Sequence, residues 1–221
     1  MRVFDVLYKP KVDYTNKVIH GDCVEAMRQM PDGIADFILT DPPYLVNYRD
    51  RDGRRLANDT GDGAFLFPAF KEAYRVLKPD TFAVSFYGWQ AVDIFMRAWK
   101  LAGFRPVGHL VFKKDYSSNQ GAVQYAHESA FLLAKGNPKP IKLIPDVLGW
   151  QYTGNKYHPT QKPEFTLEVL VDAFSPLGGL VLDPFMGSGS SLIAARERGR
   201  KFCGIDVDDG HVRTALQRLQ G

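Results

Sequence analysis

The pattern of hydrophobic and polar positions alternates between short apolar runs and longer stretches with helical spacing. Residues 36–40 (DFILT) are apolar at their centre, which is typical of a strand buried in a parallel sheet. Within residues 64–77 the large apolar side chains recur at helical spacing, and Pro79-Asp80 is expected to end that helix. Strands that alternate with helices in this way predict an α/β fold with a mostly parallel sheet.

The same pattern predicts the remaining elements. Strands are expected at residues 18–19, 36–40, 81–87, 104–113, 128–134, 180–182 and 202–206. Helices are expected at residues 64–77, 90–101, 164–174 and 190–198, with a last one starting near Asp209. Residues 45–63 and 135–157 carry little periodicity, and long aperiodic loops in a compact domain are usually functional or disordered.

Bulk composition changes this picture little. The chain has 221 residues, 45% of them hydrophobic and 24% charged, which suits one globular domain over residues 1–221. There is no apolar run near the ~20 residues of a membrane span and no signal-peptide core at the start, so a cytoplasmic protein without membrane contact is expected. The two cysteines, Cys23 and Cys203, have no metal-ligand spacing, and no metal site is expected.

The distribution of charge adds a weak indication of a partner. The formal net charge is +3. In residues 111–162 seven lysines stand against three acidic residues. Such an excess of lysine is typical of a protein that binds a polyanion, and an ordinary solvated surface could have the same charge distribution.

A glycine-rich turn carries the first chemical signal. The sequence from Asp183 to Ser191 (DPFMGSGSS) follows a predicted strand and opens a predicted helix, where a Gly-x-Gly turn lets the backbone approach a nucleotide. Asp206 ends the next strand, at the spacing of an acid that binds ribose hydroxyls. The turn lacks a third glycine and the Lys-Ser/Thr of a phosphate loop. The pattern therefore favours a nucleoside cofactor without phosphate, such as S-adenosylmethionine.

A proline-rich turn carries the second signal. Asp41-Pro42-Pro43-Tyr44 follows the strand at 36–40, at the carboxyl end where open α/β sheets bind ligands. The prolines remove two N–H donors, so the Asp41 carboxylate and nearby carbonyls can act as acceptors for both hydrogens of an amino group. Tyr44 offers a flat face for a base. A rigid turn without function would have the same sequence.

Together these motifs resemble the amino-methyltransferases that modify adenine N6 or cytosine N4 in DNA. Asp41 to Tyr44 matches the catalytic motif of that family, and Phe185-Met186-Gly187-Ser188-Gly189 matches its cofactor loop. His158-Pro159-Thr160-Gln161-Lys162-Pro163 matches a third motif between them. The catalytic motif precedes the cofactor loop, which is the circularly permuted order of the β group. The resemblance implies a Rossmann-like, seven-stranded, mostly parallel sheet whose last strand is antiparallel.

The resemblance also implies the site residues and partners. Catalysis is assigned to Asp41, Pro42, Pro43 and Tyr44. Contacts with S-adenosyl-L-methionine are assigned to Asp22, Cys23, Asp41, His158, Thr160, Lys162, Asp183, Phe185, Gly187, Ser188, Gly189 and Asp206. Double-stranded DNA is expected to meet target-recognition segments near 45–63 and 135–157, with contacts from Arg49, Arg51, Arg54, Arg55, Lys113 and Lys114. The small recognition region suggests a homodimer.

The implied reaction is methylation of adenine N6 in DNA by direct attack of a flipped-out base, since Asp at position 41 favours adenine and Ser would favour cytosine N4. Methylation of cytosine N4 or of an RNA base remains an alternative, and so does an inactive DNA-binding regulator. Glutamine methylation is disfavoured because it usually goes with Asn at this position. A C5-methyltransferase is disfavoured because neither cysteine follows a proline. Whether the enzyme belongs to a restriction-modification pair is left open.

Overall fold

The computed structural model describes residues 12–46, 61–120, 122–150 and 162–220. Eight strands span Lys17–His20 (β1), Ala35–Thr40 (β2), Leu77–Phe86 (β3), Arg105–Gln120 (β4), Val123–Lys135 (β5), Val147–Trp150 (β6), Leu180–Asp183 (β7) and Lys201–Asp206 (β8). Six helices span Cys23–Arg28 (α1), Leu66–Val76 (α2), Val92–Ala102 (α3), Glu164–Phe174 (α4), Ser190–Glu197 (α5) and Asp209–Gln220 (α6), and a 3₁₀ turn spans Trp89–Ala91.

The strands form one sheet in the order β1-β8-β7-β2-β3-β5-β4-β6. All neighbouring pairs are parallel except the two that involve β5, which runs antiparallel to β3 and β4. This confirms the predicted α/β class with a mostly parallel sheet. The expected count of seven strands is corrected to eight, because β6 adds an edge strand beside β4. The antiparallel strand is the fifth along the chain rather than the last.

Two hydrophobic layers cover the sheet, one on each face. Side chains alternate along β2, so Ile38 packs with α1, α2 and α3, whereas Phe37 and Leu39 pack with α4, α5 and α6. This two-sided burial is the reason that the apolar run at 36–40 is readable as a buried strand.

The sheet has its switch point between β2 and β7. From β2 the chain proceeds to β3 on one side, and from β7 it proceeds to β8 on the other. In open α/β sheets the carboxyl ends of the strands at such a point form the ligand crevice. Asp41 directly follows β2 and Asp183 ends β7, so the fold itself brings the two sequence motifs together.

The structure differs from the sequence prediction at several elements. The helix expected at 64–77 ends at Val76, and β3 begins at the next residue and carries Pro79-Asp80 within it, with Asp80 at φ 54°. β4 and β5 extend well past the predicted 104–113 and 128–134 because they pair with each other beyond the core. The sequence pattern missed α1 and β6, which are short. Within the described residues no helix is long and apolar enough to cross a membrane.

The aromatic core under α3 allows a stability test. Trp99 is fully buried, its ring packs against Phe70, Tyr87, Phe95 and Phe131, and its indole N–H has no hydrogen-bond partner among the described residues. Trp99→Ala should lower the free energy of unfolding by about 3–5 kcal/mol. Trp99→Phe removes the unpaired N–H and keeps most contacts, so it should cost less than about 1.5 kcal/mol.

Urea unfolding measures both variants. Leu101→Ala on the same helix is the matched control, because Leu101 is 73% exposed and its loss should change stability by less than about 0.5 kcal/mol. Equal losses for Trp99→Ala and Leu101→Ala would contradict this packing.

Candidate active site

The carboxylate of Asp41 stands at the switch point with one oxygen occupied and one free. Its Oδ2 lies 2.6 Å from Nζ of Lys162. Its Oδ1 is buried and has no hydrogen-bond partner among the described residues. A buried, unpaired acceptor is costly in a folded protein and marks a place where a ligand donor is expected. Pro42 and Pro43 supply no N–H that could satisfy it.

Lys162 links Asp41 to Tyr44. Nζ of Lys162 also donates to the Tyr44 hydroxyl at 3.0 Å, and the side chain is 7% exposed. The ammonium lies over three aromatic rings, 5.1 Å from the centroid of Tyr44, 4.9 Å from that of Phe86 and 5.8 Å from that of Trp150. Such rings stabilise a desolvated cation through their quadrupoles. Lys162 is therefore held as a charged group inside the site.

A second ion pair continues this cluster. The Tyr44 hydroxyl donates to Oε2 of Glu128 at 3.4 Å, and Lys114 Nζ lies 2.5 Å from Oε1 of Glu128. Two carboxylates and two ammonium groups thus alternate around Tyr44, and their formal charges cancel. This balance reduces the penalty of burying each charge.

The acids of the cluster titrate differently. Burial raises the pKa of Asp41 above its ordinary value, although Lys162 acts in the opposite direction. Burial also acts to raise the pKa of Glu128, but Lys162 and Lys114 outweigh it and the pKa of Glu128 is lowered. Burial, Asp41 and Glu128 raise the pKa of Tyr44, so its hydroxyl stays protonated. The pKa values of the two carboxyl groups are therefore shifted in opposite directions.

Asp183 joins the two loops of the site. It is 3% exposed, and its Oδ1 accepts hydrogen bonds from Thr40 Oγ1 at 2.9 Å and from the Phe185 N–H at 3.0 Å. Its Oδ2 accepts from the hydroxyl of Ser191. Burial raises the pKa of Asp183 to about 7 despite these donors. The carboxyl group ties the end of β2 to the glycine turn and to the start of α5.

The glycine turn needs its glycines for two reasons. Gly187 and Gly189 have φ values of 51° and 81°, in the left-handed region that side chains disfavour. A Cβ on Gly189 would also lie 2.9 Å from the Cβ of Ala215 on α6. Ser188 is buried, and Arg218 donates to its carbonyl at 2.5 Å and to its hydroxyl at 3.0 Å.

The acids at the ends of β1 and β8 border the same turn. Oδ2 of Asp206 accepts from the Gly187 N–H at 2.9 Å, and the Gly21 N–H donates to the Asp206 carbonyl at 2.9 Å. Asp22 caps α1, its Oδ1 accepting from the N–H groups of Val24 and Glu25. Apart from its chain neighbours, no described residue has an atom within 4 Å of the position that a Cβ on Gly21 would take, so the described part of this edge has room for a ligand beside the turn.

The structure places the predicted site residues in four different settings. Asp41, Tyr44, Lys162, Asp183, the glycine turn and Asp206 lie together at the switch point and the strand ends beside it. Cys23 is buried on α1, and burial raises the pKa of its thiol to about 12, which keeps the thiol neutral. Lys113 is exposed, whereas Lys114 is 12% exposed and paired with Glu128 inside the site. The remaining predicted contacts lie outside the described residues: His158, Thr160, Arg49, Arg51, Arg54 and Arg55.

Three residues of the site escaped the sequence analysis as members of it. Glu128, Phe86 and Trp150 come from β5, β3 and β6, far apart in the chain. Glu128 lies in a predicted strand as one acid among the polar residues of that segment, and no motif spacing connects it with Tyr44.

The sequence is similar to those of known DNA methylases. The family described as DNA methylase (N6_N4_Mtase) matches residues 35–147 and 140–217. YubD of Escherichia coli (strain K12) is 53% identical over 205 residues, which cover 92% of this chain and 90% of YubD. The DNA adenine methyltransferase YhdJ of the same organism is 29% identical over 244 residues, which cover 91% of this chain and 82% of YhdJ.

Solved structures share the fold. The crystal structure of the M1.HpyAVI–SAM complex matches with a TM-score of 0.69 at 19% identity, over 93% of this chain and 99% of that chain. The PvuII DNA methyltransferase, which is cytosine-N4-specific, matches with a TM-score of 0.73 at 16% identity, over 92% of this chain and 86% of that chain. These likenesses confirm the predicted fold class.

The raised pKa of Asp183 predicts a pH dependence of stability. Between pH 3.8 and about 7 the folded protein holds a proton that the unfolded chain has released. The free energy of unfolding should therefore fall as pH rises through this window, by up to about 4 kcal/mol from this group alone. Asp183→Asn cannot titrate, and its unfolding free energy should lack this component.

Urea unfolding at several pH values between 4 and 8 measures the difference between the two proteins. A difference that stays constant with pH would contradict the assignment of the buried proton to Asp183.

Proposed function

The chain belongs to the N6_N4_Mtase family of DNA methylases, and on this premise we propose that it transfers a methyl group from S-adenosyl-L-methionine to adenine N6 in double-stranded DNA. The observation that carries the proposal is Oδ1 of Asp41, a buried acceptor without a partner among the described residues, at the carboxyl end of β2. YhdJ, named as a DNA adenine methyltransferase, supports adenine as the target.

The chemistry requires an acceptor at this point. The lone pair of an exocyclic amine is delocalised into the base, so the amine is a poor nucleophile. Oδ1 of Asp41 accepts one amino hydrogen and the Pro42 carbonyl accepts the other, which aims the lone pair out of the ring plane. As the nitrogen gains positive charge, the Asp41 carboxylate stabilises it and then takes the proton that the nitrogen loses. The raised pKa of Asp41 suits it to receive that proton.

Lys162 prepares Asp41 for this role. Its ammonium, 2.6 Å from Oδ2, keeps the carboxylate ionised despite burial and leaves Oδ1 as the oxygen available to the amine. Tyr44 is fixed through its hydroxyl by Lys162 and Glu128, so its ring is held as a stacking face for the target base. The resemblance assigns Lys162 to the cofactor, whereas its contacts favour a role beside Asp41.

The cofactor fits the edge formed by the glycine turn and the ends of β1 and β8. S-adenosyl-L-methionine supplies a methyl group on a positively charged sulfur when it is bound. Gly187 and Gly189 let the backbone approach it, Phe185 packs beside it, and Asp206 and Asp22 offer carboxylate oxygens to its hydroxyl and amino groups. Asp183 is 3% exposed and accepts hydrogen bonds from Thr40, Phe185 and Ser191, so it acts by holding this turn against β2.

Oδ1 of Asp41 is buried although the side chain is partly exposed, so the base has to leave the duplex, because a stacked and paired amine cannot reach an acceptor inside the protein. We propose that residues 45–63 and 135–157 hold the DNA during this step, and that the enzyme acts in the cytoplasm as a homodimer, since so small a recognition region gains from a second subunit. Cytosine N4 is the second candidate, because the same acceptors would hold its amine and the cytosine-N4-specific PvuII enzyme shares the fold.

Methylation of plasmid DNA by the purified protein with S-adenosyl-L-methionine, followed by single-molecule sequencing, tests the function. Methyladenine is expected at one fixed sequence. Asp41→Ala should lower the rate at least about 100-fold, because it removes the acceptor, while calorimetry shows cofactor affinity changed by only a few-fold. Methylcytosine in the product would favour the second candidate. Turnover retained by Asp41→Ala, or cofactor binding without any methylation of DNA, would overturn the proposal.

The pH dependence of methylation tests the role of Lys162. In Lys162→Gln the cation that lowers the pKa of Asp41 is lost, so the acidic limb of kcat/KM should move to higher pH, with at least about a 10-fold loss at pH 7 that is partly recovered on raising the pH. Lys162→Arg keeps the charge and should retain the wild-type limb. Thermal unfolding of both variants controls for folding. An unchanged limb with a raised KM for the cofactor would instead place Lys162 on the cofactor.

A further inference from the structure

Beyond the catalytic cluster, an exposed tryptophan and a partly buried tyrosine stand together at the same edge of the sheet. Trp89, in the 3₁₀ turn after β3, is 60% exposed, whereas Trp99 and Trp150 are 0% and 6% exposed. The indole of Trp89 is stacked with the ring of Tyr125 on β5, the centroids 6.2 Å apart and the planes at 26°. Trp and Tyr are enriched at interfaces because each combines a large apolar ring with a polar group that can face water.

The pair borders the loop that carries Asp41. Gly88, directly before Trp89, has no room for a side chain: a Cβ there would lie 2.7 Å from the Tyr44 carbonyl oxygen and 2.8 Å from the Tyr44 Cβ. Its φ of −82° is ordinary, so close contact with Tyr44 explains the glycine. On β5, Tyr125 lies three residues before Glu128, whose carboxylate accepts from the Tyr44 hydroxyl. Both rings are thus fixed to elements that contact Tyr44.

The surroundings of the pair suit a polyanion with flat bases. Lys113 and His127 are exposed cross-strand neighbours on β4 and β5, next to Tyr125. Val123, where β4 and β5 pair beyond the core, is 59% exposed. An aromatic platform beside exposed basic side chains is the arrangement that binds unstacked bases, since every base has a π-face.

We propose that Trp89 and Tyr125 form a stacking surface for a DNA base next to the flipped target. This inference rests on the proposed function: once the target base leaves the duplex, its neighbours lose a stacking partner, and an aromatic ring beside the catalytic loop replaces it. The surface acts on DNA binding and on the stability of the flipped state, and it does not touch the reacting atoms.

Steady-state methylation of a duplex that contains the sequence modified by the wild type tests the surface. Trp89→Ala should raise the KM for DNA at least about 10-fold, while the KM for S-adenosyl-L-methionine and the melting temperature stay unchanged. Trp89→Phe should recover most of the affinity. Leu177→Ala is the matched control, because Leu177 is 80% exposed in the segment before β7, at the opposite edge of the sheet, and its loss should change neither constant.

Fluorescence gives an independent readout. Trp89 is the exposed tryptophan of the three, so acrylamide should quench mainly its emission. Addition of the duplex should protect this emission in the wild type. In Trp89→Phe the quenchable emission should be absent, and the duplex should change the quenching little. If the wild type is active, an unchanged KM for DNA in Trp89→Ala together with unprotected Trp89 emission in the wild type would overturn the stacking surface and leave the proposed function intact. A wild type that methylates no DNA would overturn the proposed function itself. A fall in light-scattering mass of Trp89→Ala, with unchanged DNA KM, would assign the pair to contact between two copies.

Discussion

The buried carboxyl group of Asp183 is the contact on which the site depends. It ends β7 and accepts hydrogen bonds from Thr40 at the end of β2, from the backbone of Phe185 and from Ser191. Thr40 and Asp183 are 143 residues apart in sequence, yet they are neighbours at the switch point of the sheet. One acidic side chain thus sets the distance between the Asp41 loop after β2 and the glycine turn after β7. Its raised pKa indicates that the protein tolerates a costly buried acid to keep that distance.

A second constraint is electrostatic. The cluster around Tyr44 contains two acids and two lysines whose charges cancel, but the arrangement is not symmetric. Glu128 has a lysine at one oxygen and a phenol at the other, whereas Asp41 keeps one oxygen without a partner. Because of this asymmetry, Oδ1 of Asp41 is the acceptor in the cluster that is available to an incoming hydrogen-bond donor. The three rings around Lys162 shield its ammonium from solvent, and the lower local dielectric strengthens its interaction with Asp41.

Much of this could be predicted from the sequence. Strands buried on both faces leave continuous apolar runs, so β2, β7 and β8 were found, and α4 was predicted with its observed bounds. The family motifs placed Asp41 and the glycine turn in one site, and the match to the DNA methylase family confirms that resemblance. The extensions of β4 and β5 were missed because their stability comes from pairing with each other rather than from a buried pattern. Lys114 was predicted to contact DNA from its sequence neighbourhood; its pairing with Glu128 depends on strand register, which a single chain does not reveal.

The permuted chain order has a consequence for how the protein is made. β1 pairs in parallel with β8, and His20 contacts the carbonyl of Val207, 187 residues later. The glycine turn is likewise held by Arg218 of α6, the last helix. A chain emerging from the ribosome therefore carries β1 unpaired and the glycine turn without Arg218 until residues 201–220 have been made. Until then β1 remains a template for intermolecular pairing. The edge formed by β1, β8 and the glycine turn is completed only by the segment that is translated after all its other parts.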